Sequence, residues 1–321
     1  MRKICPAPAI IPIEQNTHQP YLTPAHHSNT YQIPGGKSMT DRKKVTIRTL
    51  FDKAAQGEPI SWLTSYDYPT AYFQEQAEID MLLVGDSLGM TMLGYDGTLP
   101  VTMDDMLRHT QAVRRGAPTA FLVGDMPYMS YQASTESAVL NAGRFMAEAS
   151  CDAIKLEGGH QMADRMRAIV ASGIPAVGHL GLTPQSVAAL GGFRVQGRGA
   201  AQAKEIIDDA KALEEAGAFC ILLEMVPDRV TKIITERAED CLIMSLGSGP
   251  DAHGQLLIFH DMFGLYPKFT PKMAKVYGNA GEILQNGLIQ YNKEVKDQTF
   301  PKKENWFTMS DEEFEDLQKL L

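Results

Sequence analysis

The sequence predicts a single α/β unit built as a (β/α)8 barrel. Eight short apolar runs follow one another between residues 59 and 261, and most of the gaps between them carry a helical pattern. The runs are continuously apolar rather than alternating, which is typical of parallel strands buried on both faces. Strands alternating with helices about eight times over roughly 220 residues form the pattern of a (β/α)8 barrel. An open doubly wound sheet is the alternative, but the number of strands and the lack of a G-x-G-x-x-G motif disfavour it.

The eight runs are short enough to be strands, and most of them end in glycine or a polar residue. In chain order they are PISWLTSY, MLLVGDS, AFLVGDMP, AIKLEGG, PAVGHLG, AFCILLEMV, CLIMSLGSG and QLLIFHD. Apolar runs of this length bounded by turn residues favour buried strands over helices.

The helices are marked by the residues at their ends. Thr102 and Ser134 each precede a helical pattern as an N-cap. Gly217 closes the segment AAQAKEIIDDAKALEEAG, as expected of a helix C-terminus. Ser310 and Glu313 form a capping box that starts a last helix. We expect this last helix to pack against the outside of the barrel.

The first 40 residues differ in composition from the rest. They are rich in proline and histidine, and the apolar patch AIIPI is too short and too interrupted for a signal peptide. The fragment PGGKS resembles the end of a phosphate-binding loop, but Tyr31 stands where that loop needs its first glycine. We therefore predict a disordered or mis-assigned extension over residues 1–40, a natural start near Met39, and one catalytic barrel with C-terminal helices over residues 41–321.

Charge and cysteine content limit the partners. A net charge of −9 argues against nucleic acid or an anionic membrane as the main partner. No run approaches the ~18 apolar residues of a membrane-spanning helix. The four cysteines show no metal-binding spacing, which suits a reducing compartment. We expect a cytoplasmic protein that acts on small molecules.

Charged residues and a histidine follow the predicted strands at their C-terminal ends. They are Asp86, Asp125, Glu157, His179 and Glu224. In a (β/α)8 barrel these ends converge on one face, and that face holds the active site. Four carboxylates at one mouth would repel one another unless a cation offsets them. Oxygen ligands favour a hard divalent ion, with magnesium ahead of zinc.

Each of these residues also has a purely structural explanation. Asp86 could cap the next turn, but Asp125 repeats the same VGD context, which favours a metal ligand. Lys155 lies two residues before Glu157, so both side chains point to the same face and could simply pair. Glu224 ends a strongly apolar run, and a partly desolvated carboxylate is a better general base.

Two features leave their alternatives open. His179 follows a strand, where a histidine is often just a satisfied core group. The segment GGFRVQGRG carries Arg194 and Arg198. It either binds an anionic cofactor tail or forms a mobile lid without a specific ligand.

Several motifs in a fixed order resemble the ketopantoate hydroxymethyltransferase family. They are LTSYDYPTA, VGDSLGMTMLGYDGTLPVT, HTQAVRRGAP, AIKLEGG, GHLGLTPQS, GGFRVQGR and LLEMVP, followed by FHDMFGL and FPKKENWFTMSDEEFEDL. Together they cover the chain from residue 45 to the C-terminus. The resemblance implies a barrel of the phosphoenolpyruvate mutase and isocitrate lyase superfamily. It also implies a homo-oligomer, a decamer.

The resemblance further implies an activity and a set of site residues. The activity is transfer of a hydroxymethyl group from 5,10-methylenetetrahydrofolate to 3-methyl-2-oxobutanoate, giving 2-dehydropantoate for pantothenate synthesis through a magnesium-stabilised enolate. By motif, magnesium would be held by Asp86, Asp125 and Glu157. The 2-oxo acid would contact Asp86, Ser87, Asp125, Lys155 and His179, and Glu224 would be the proton acceptor.

The chain departs from the family pattern at three positions. Ser245 replaces the first glycine of G-x-G-x-G, His253 replaces an aspartate, and Met225 replaces a cysteine. None belongs to the predicted metal set, so we expect them to bear on substrate choice or folate affinity.

Two other functions remain possible on the sequence. A related magnesium-dependent 2-oxo acid carbon–carbon lyase is disfavoured because no KKCGH-like loop is present. A catalytically inactive paralogue that serves in binding or assembly is disfavoured by the intact set of site residues.

Overall fold

The predicted fold class is confirmed. A computed structural model describes residues 42–321 and shows a closed barrel of eight parallel strands in chain order. The predicted extension over residues 1–40 and the predicted start at Met39 lie outside the described residues.

Each strand overlaps one of the predicted apolar runs. The strands are β1 Ile60–Thr64, β2 Met81–Val84, β3 Phe121–Asp125, β4 Ala153–Glu157, β5 Ala176–Gly181, β6 Cys220–Glu224, β7 Leu242–Leu246 and β8 Gly254–Leu257. The barrel closes where β8 pairs with β1. Within the range 42–321, β7 and β8 are joined by a short loop that contains no helix.

The helices follow the strands around the outside. They are α1 Ile47–Ala55, α2 Tyr68–Gln76, α3 Leu88–Thr91, α4 Met103–Gly116, α5 Thr135–Ala149, α6 Ala163–Ala171, α7 Val187–Leu190, α8 Ala200–Glu215, α9 Asp228–Arg237, α10 Phe259–Met262, α11 Ala280–Lys296 and α12 Asp311–Leu320. Among residues 42–321, no helix is both long and apolar enough to cross a membrane.

The predicted helix ends are confirmed. The Thr102 side chain accepts a hydrogen bond from the Asp105 backbone N–H at the start of α4. Ser134 caps α5 in the same way. Gly217 follows Ala216, the C-cap of α8, and has a φ of +96°, a left-handed conformation that suits glycine.

The strand side chains alternate between two apolar cores, which explains why the runs are apolar throughout. One core fills the barrel interior and includes Trp62, Phe121 and Met244. The other lies between the strands and the helices and includes Leu122 and Phe145. Because most strand positions face one core or the other, few of them reach water.

The wall formed by β8 and β1 is the exception. Gln255 on β8 is exposed, while Leu257 on β8 and Leu63 on β1 are only half-buried. The strands β2, β3, β4, β6 and β7 are buried at every residue. The outer face of β8 and β1 is therefore left partly uncovered by this chain.

The expectation that the last helix packs against the barrel is wrong. Ser310 does cap α12, since its side chain accepts a hydrogen bond from the Glu313 N–H. However, neither α11 nor α12 contains a buried residue, and Leu320 is 84% exposed. A cap is a local interaction that sets where a helix begins, and it carries no information about what the apolar face of the helix contacts.

Substitution of Gly124, the glycine of the VGD motif on β3, tests how closely this strand packs against α5. A Cβ on Gly124 would overlap the Phe145 ring and approach Cys151 Sγ to 3.0 Å. We expect Gly124→Ala to lower the free energy of unfolding by about 1–3 kcal/mol because the core is overpacked. Gly143→Ala on α5 is the matched control: its Cβ would enter open space, and it should stabilise by about 0.5–1 kcal/mol. Urea unfolding midpoints measure both, and equal midpoints for the two variants would contradict the assignment.

Candidate active site

The structure places all seven predicted site residues around one small cavity at the C-terminal end of the barrel. The cavity has a volume of about 40 Å³. Its polar lining comprises these seven residues, namely Asp86, Ser87, Asp125, Lys155, Glu157, His179 and Glu224, together with Thr64.

The register of the strands brings these residues together. Asp125 on β3 lies beside Lys155 on β4, and Glu157 on β4 lies beside His179 on β5. Asp86 lies two residues after the end of β2, and its backbone N–H donates a hydrogen bond of 3.1 Å to Asp125 Oδ2. Residues far apart in the chain thus become neighbours because parallel strands end at the same edge.

A buried ion pair forms the centre of the polar lining. Lys155 Nζ lies 2.7 Å from Asp125 Oδ1, and both side chains are at most 3% exposed. Burial by itself would lower the pKa of Lys155, but the carboxylates of Asp125, Glu157 and Asp86 raise it above its ordinary value. Lys155 is therefore charged.

One lysine does not offset the three neighbouring acids. Burial raises the pKa of Asp86 well above its ordinary value, and the charges of Asp125 and Glu157 add to the effect. Burial also raises the pKa of Asp125, and it raises the pKa of Glu157 to about 7. The cluster therefore favours taking up further positive charge, either as a proton or as a cation.

The oxygens present fit a hard divalent cation. Asp125 Oδ1 and Glu157 Oε1 are buried without a hydrogen bond, although Lys155 lies within ion-pair distance of the former. Within residues 42–321, no three His, Cys, Asp or Glu side chains are grouped as a complete metal-binding set. Magnesium does not need such a set, because it is usually held by one or two carboxylates together with water and substrate oxygens.

A histidine connects the lysine to the acid on β6. His179 Nδ1 lies 3.2 Å from Lys155 Nζ, and His179 Nε2 lies 3.1 Å from Glu224 Oε2. Burial lowers the pKa of His179, and the charge of Lys155 lowers it further, so the ring is neutral. Because Lys155 donates to Nδ1, we assign the ring hydrogen to Nε2, which donates to Glu224. His179 thereby orients one oxygen of Glu224.

The rest of the cavity lining carries apolar side chains. They come from β2, β6, β7, β8 and the residue after β8, namely Leu83, Leu222, Leu246, Leu256 and Ile258. These side chains suit a small branched apolar group beside the polar cluster.

Sequence reasoning missed three polar residues around the cluster. Gln185 Nε2 donates a hydrogen bond of 2.9 Å to Asp86 Oδ2, and the Tyr131 hydroxyl donates one of 2.7 Å to Gln185 Oε1. The Tyr66 hydroxyl lies 2.8 Å from Ser87 Oγ. Gln185 and Tyr66 stand in the motifs GHLGLTPQS and LTSYDYPTA, but no periodicity or strand end marked them.

The residues that depart from the family pattern lie outside the cavity lining. Ser245 Oγ donates a hydrogen bond of 2.9 Å to the Gly249 carbonyl, and His253 Nδ1 accepts one of 2.9 Å from the Ile243 N–H. Both hold the connection between β7 and β8. Arg194 and Arg198 of the glycine-rich segment are exposed.

A larger cleft of about 580 Å³ lies on the outside of the barrel between α8 and α9. Its rim carries charged residues such as Lys211 and Glu215. None of the predicted site residues lines it. We place the candidate site at the barrel mouth because the convergent ionisable groups lie there.

Solved structures support the fold. A phosphonopyruvate hydrolase in complex with oxalate and magnesium is 14% identical and has a TM-score of 0.52, with 85% of this chain and 95% of that chain covered. A 2,3-dimethylmalate lyase, described as a phosphoenolpyruvate mutase/isocitrate lyase superfamily member, is also 14% identical with a TM-score of 0.52, covering 86% of this chain and 95% of that one. These similarities support the barrel fold of this chain.

Sequence comparisons identify the family. The family model for ketopantoate hydroxymethyltransferase matches residues 44–303. A 3-methyl-2-oxobutanoate hydroxymethyltransferase of Alkaliphilus metalliredigens is 51% identical over 277 residues, which are 86% of this chain and 98% of that protein. The protein of the same name from Carboxydothermus hydrogenoformans is 48% identical over 269 residues, covering 84% of this chain and 97% of its own length. The chain therefore belongs to the ketopantoate hydroxymethyltransferase family and is an enzyme that transfers a hydroxymethyl group.

Proposed function

We propose that this protein transfers a hydroxymethyl group to 3-methyl-2-oxobutanoate, the substrate in the names of its relatives. The donor is 5,10-methylenetetrahydrofolate, and with one water the products are 2-dehydropantoate and tetrahydrofolate. The observation that carries this proposal is the cavity itself, which combines a charged acidic cluster with leucine and isoleucine side chains in one lining. The charged side suits a 2-oxo acid head, and the leucines suit its isopropyl group.

Magnesium would be held by Asp86 and Asp125, with Glu157 as a third acidic group. When bound, it would act as a Lewis acid that polarises the 2-oxo acid and makes its C3 proton easier to remove. The surplus of buried acidic groups and the Glu157 oxygen Oε1, which is buried without a hydrogen bond, support this assignment.

Each polar side chain of the cavity has its own role in the removal of the C3 proton. Glu224 is the base that takes the C3 proton, and the His179 N–H fixes one oxygen of Glu224 at 3.1 Å so that the other can face the substrate. The Lys155 ammonium lies next to the developing enolate and stabilises its charge in a site shielded from water. Ser87 contributes a hydroxyl to the 2-oxo acid.

Within residues 42–321, no cysteine is placed to act as the acid–base group of the related lyase reaction. Among the described residues, Cys151, Cys220 and Cys241 are free and buried, and none of them lines the cavity. Burial raises the pKa of Cys151 to about 12, so its thiol stays protonated and unreactive. The free thiols also support our proposal that the protein works in the reducing cytoplasm.

We infer that the protein is a homo-oligomer. The C-terminal arm, residues 280–321, contains two helices with no buried residue. On α11, the side chains of Leu284, Leu288, Tyr291 and Val295 recur at helical spacing and form an apolar stripe that is open to water. A short helix needs packing to be stable, and the uncovered wall of β8 and β1 on a second copy is a surface that can supply it.

Replacing the proposed metal ligands tests whether they bind magnesium. Asp86→Ala and Asp125→Ala should each weaken magnesium binding and 2-oxo acid binding together, because the acid and the aspartates contact the same ion. Isothermal titration with magnesium, and then with the 2-oxo acid at saturating magnesium, measures both. The control is Asp104→Ala on the exposed face of α4. Unchanged magnesium affinity in both site variants would contradict their assignment as ligands.

Replacing the proposed base tests the proton transfer alone. Glu224→Gln keeps the shape of the side chain but removes the basic lone pair. We expect nearly unchanged 2-oxo acid binding and a loss of turnover of roughly 10²–10⁴-fold, the usual contribution of a positioned base. Exchange of the C3 proton into heavy water isolates this step, since it needs no folate. Exchange at the wild-type rate in the variant would make His179 the next candidate.

Sedimentation velocity tests the oligomer. Leu288→Glu places a charge in the apolar stripe of α11, so the assembly should dissociate towards the monomer. Asn286→Glu on the opposite face of the same helix is the matched control and should leave the assembly unchanged. The sedimentation coefficient of the wild-type protein also tests the decamer that the family resemblance implies. A wild-type protein that sediments as a monomer would disprove the inference.

A further inference from the structure

Gln185 links three strand ends from the loop that follows β5. It is only 6% exposed. Its side-chain nitrogen Nε2 donates two hydrogen bonds of 2.9 Å, one to Asp86 Oδ2 and one to the Met126 carbonyl. Its backbone N–H donates a third, also 2.9 Å, to Glu157 Oε2. One residue thus contacts the segments that end β2, β3 and β4.

The orientation of the Gln185 amide is determined by its partners. Its oxygen Oε1 accepts hydrogen bonds from the Tyr131 hydroxyl at 2.7 Å and from Gln132 Nε2 at 2.9 Å. A flipped amide would set Oε1 against two acceptors, Asp86 Oδ2 and the Met126 carbonyl. Both hydrogens and both lone pairs of the amide are therefore used in a single arrangement.

This arrangement fixes how the two acids face the cavity. Gln185 engages one oxygen of Asp86 and one oxygen of Glu157. The second oxygen of Glu157 remains buried without a hydrogen bond. Because an amide is neutral, Gln185 donates these hydrogen bonds without cancelling the negative charge that a cation would need. A lysine at this position would compete with the ion.

We propose that Gln185 is a positioning residue that presents Asp86 and Glu157 to a divalent cation. It acts through these two acids and contacts neither the substrate nor the reacting atoms. The inference rests on the metal site of the proposed function. It assigns to Gln185 the role of strengthening the affinity of that site for the cation. Removal of a residue that hydrogen-bonds to a metal ligand typically lowers metal affinity or activity by about 10–100-fold.

The test uses Gln185→Met in the full chain, which keeps the length of the side chain but removes the amide. Manganese replaces magnesium as the probe, since the electron paramagnetic resonance signal of the free ion reports its binding directly. We expect manganese binding to weaken about 10–100-fold. With metal and 2-oxo acid saturating, kcat should stay within a few-fold of the wild type because Glu224 is untouched. The matched control is Gln74→Met, the same change at a buried glutamine that bonds to the Thr64 carbonyl; it should leave manganese affinity unchanged.

A second variant keeps the proposal testable if Gln185→Met does not fold. Gln132→Met removes the side-chain amide that donates to Gln185 Oε1 at 2.9 Å, and it should weaken manganese binding several-fold. The double variant should bind manganese no more weakly than Gln185→Met, because the Gln132 amide acts on the metal through Gln185.

The outcomes separate the two proposals. If the wild type does not bind manganese, the metal part of the proposed function is wrong. If the wild type binds and Gln185→Met binds within twofold of it, the role given to Gln185 is wrong while the metal site stands. A fall in saturated kcat with unchanged manganese affinity would also overturn the inference, since Gln185 would then act on the chemistry.

Discussion

The buried acidic cluster at the barrel mouth is the constraint on which the rest of the structure depends. Asp86, Asp125 and Glu157 are all nearly inaccessible to water, and Lys155 is the one cation that lies against them in the part of the chain that is described. Removing carboxylates from water is costly unless they are paired and hydrogen-bonded. The two apolar cores contain most of the remaining strand side chains. They provide the stability that allows such a cluster to persist at one end of the barrel.

The function follows from a division of the cavity into three parts. The acids and Lys155 form a charged part, Glu224 and His179 form a part that can move a proton, and the leucine and isoleucine side chains form an apolar part. In the function that we propose, a small 2-oxo acid with a branched side chain would meet all three at once. Family membership gives the reaction class, and the proposal assigns to this cavity the binding of the acid, the removal of its proton and the exclusion of water from the product of that step.

The departures from the family pattern do not change this division. Ser245 and His253 replace small or acidic residues, yet Ser245 bonds to the Gly249 carbonyl between β7 and β8, and His253 bonds to the Ile243 N–H on β7. The cavity lining includes Leu246 from β7 but not Ser245. The fold thus absorbs these two substitutions at a connection that carries no helix. The C-terminal arm is a different case, because none of its residues is buried within the described chain.

The sequence by itself determined the strands, the helix caps and the polar residues at the strand ends. These features depend on neighbours a few residues away, so apolar runs, Thr102, Ser134 and the VGD motifs were sufficient to predict them. Only the tertiary structure decided that Gln185 holds Asp86, a contact across 99 positions in the chain. It also decided that α11 and α12 lie exposed. Such contacts depend on the register around the closed barrel and on which surfaces other segments already cover, and local patterns do not contain that information.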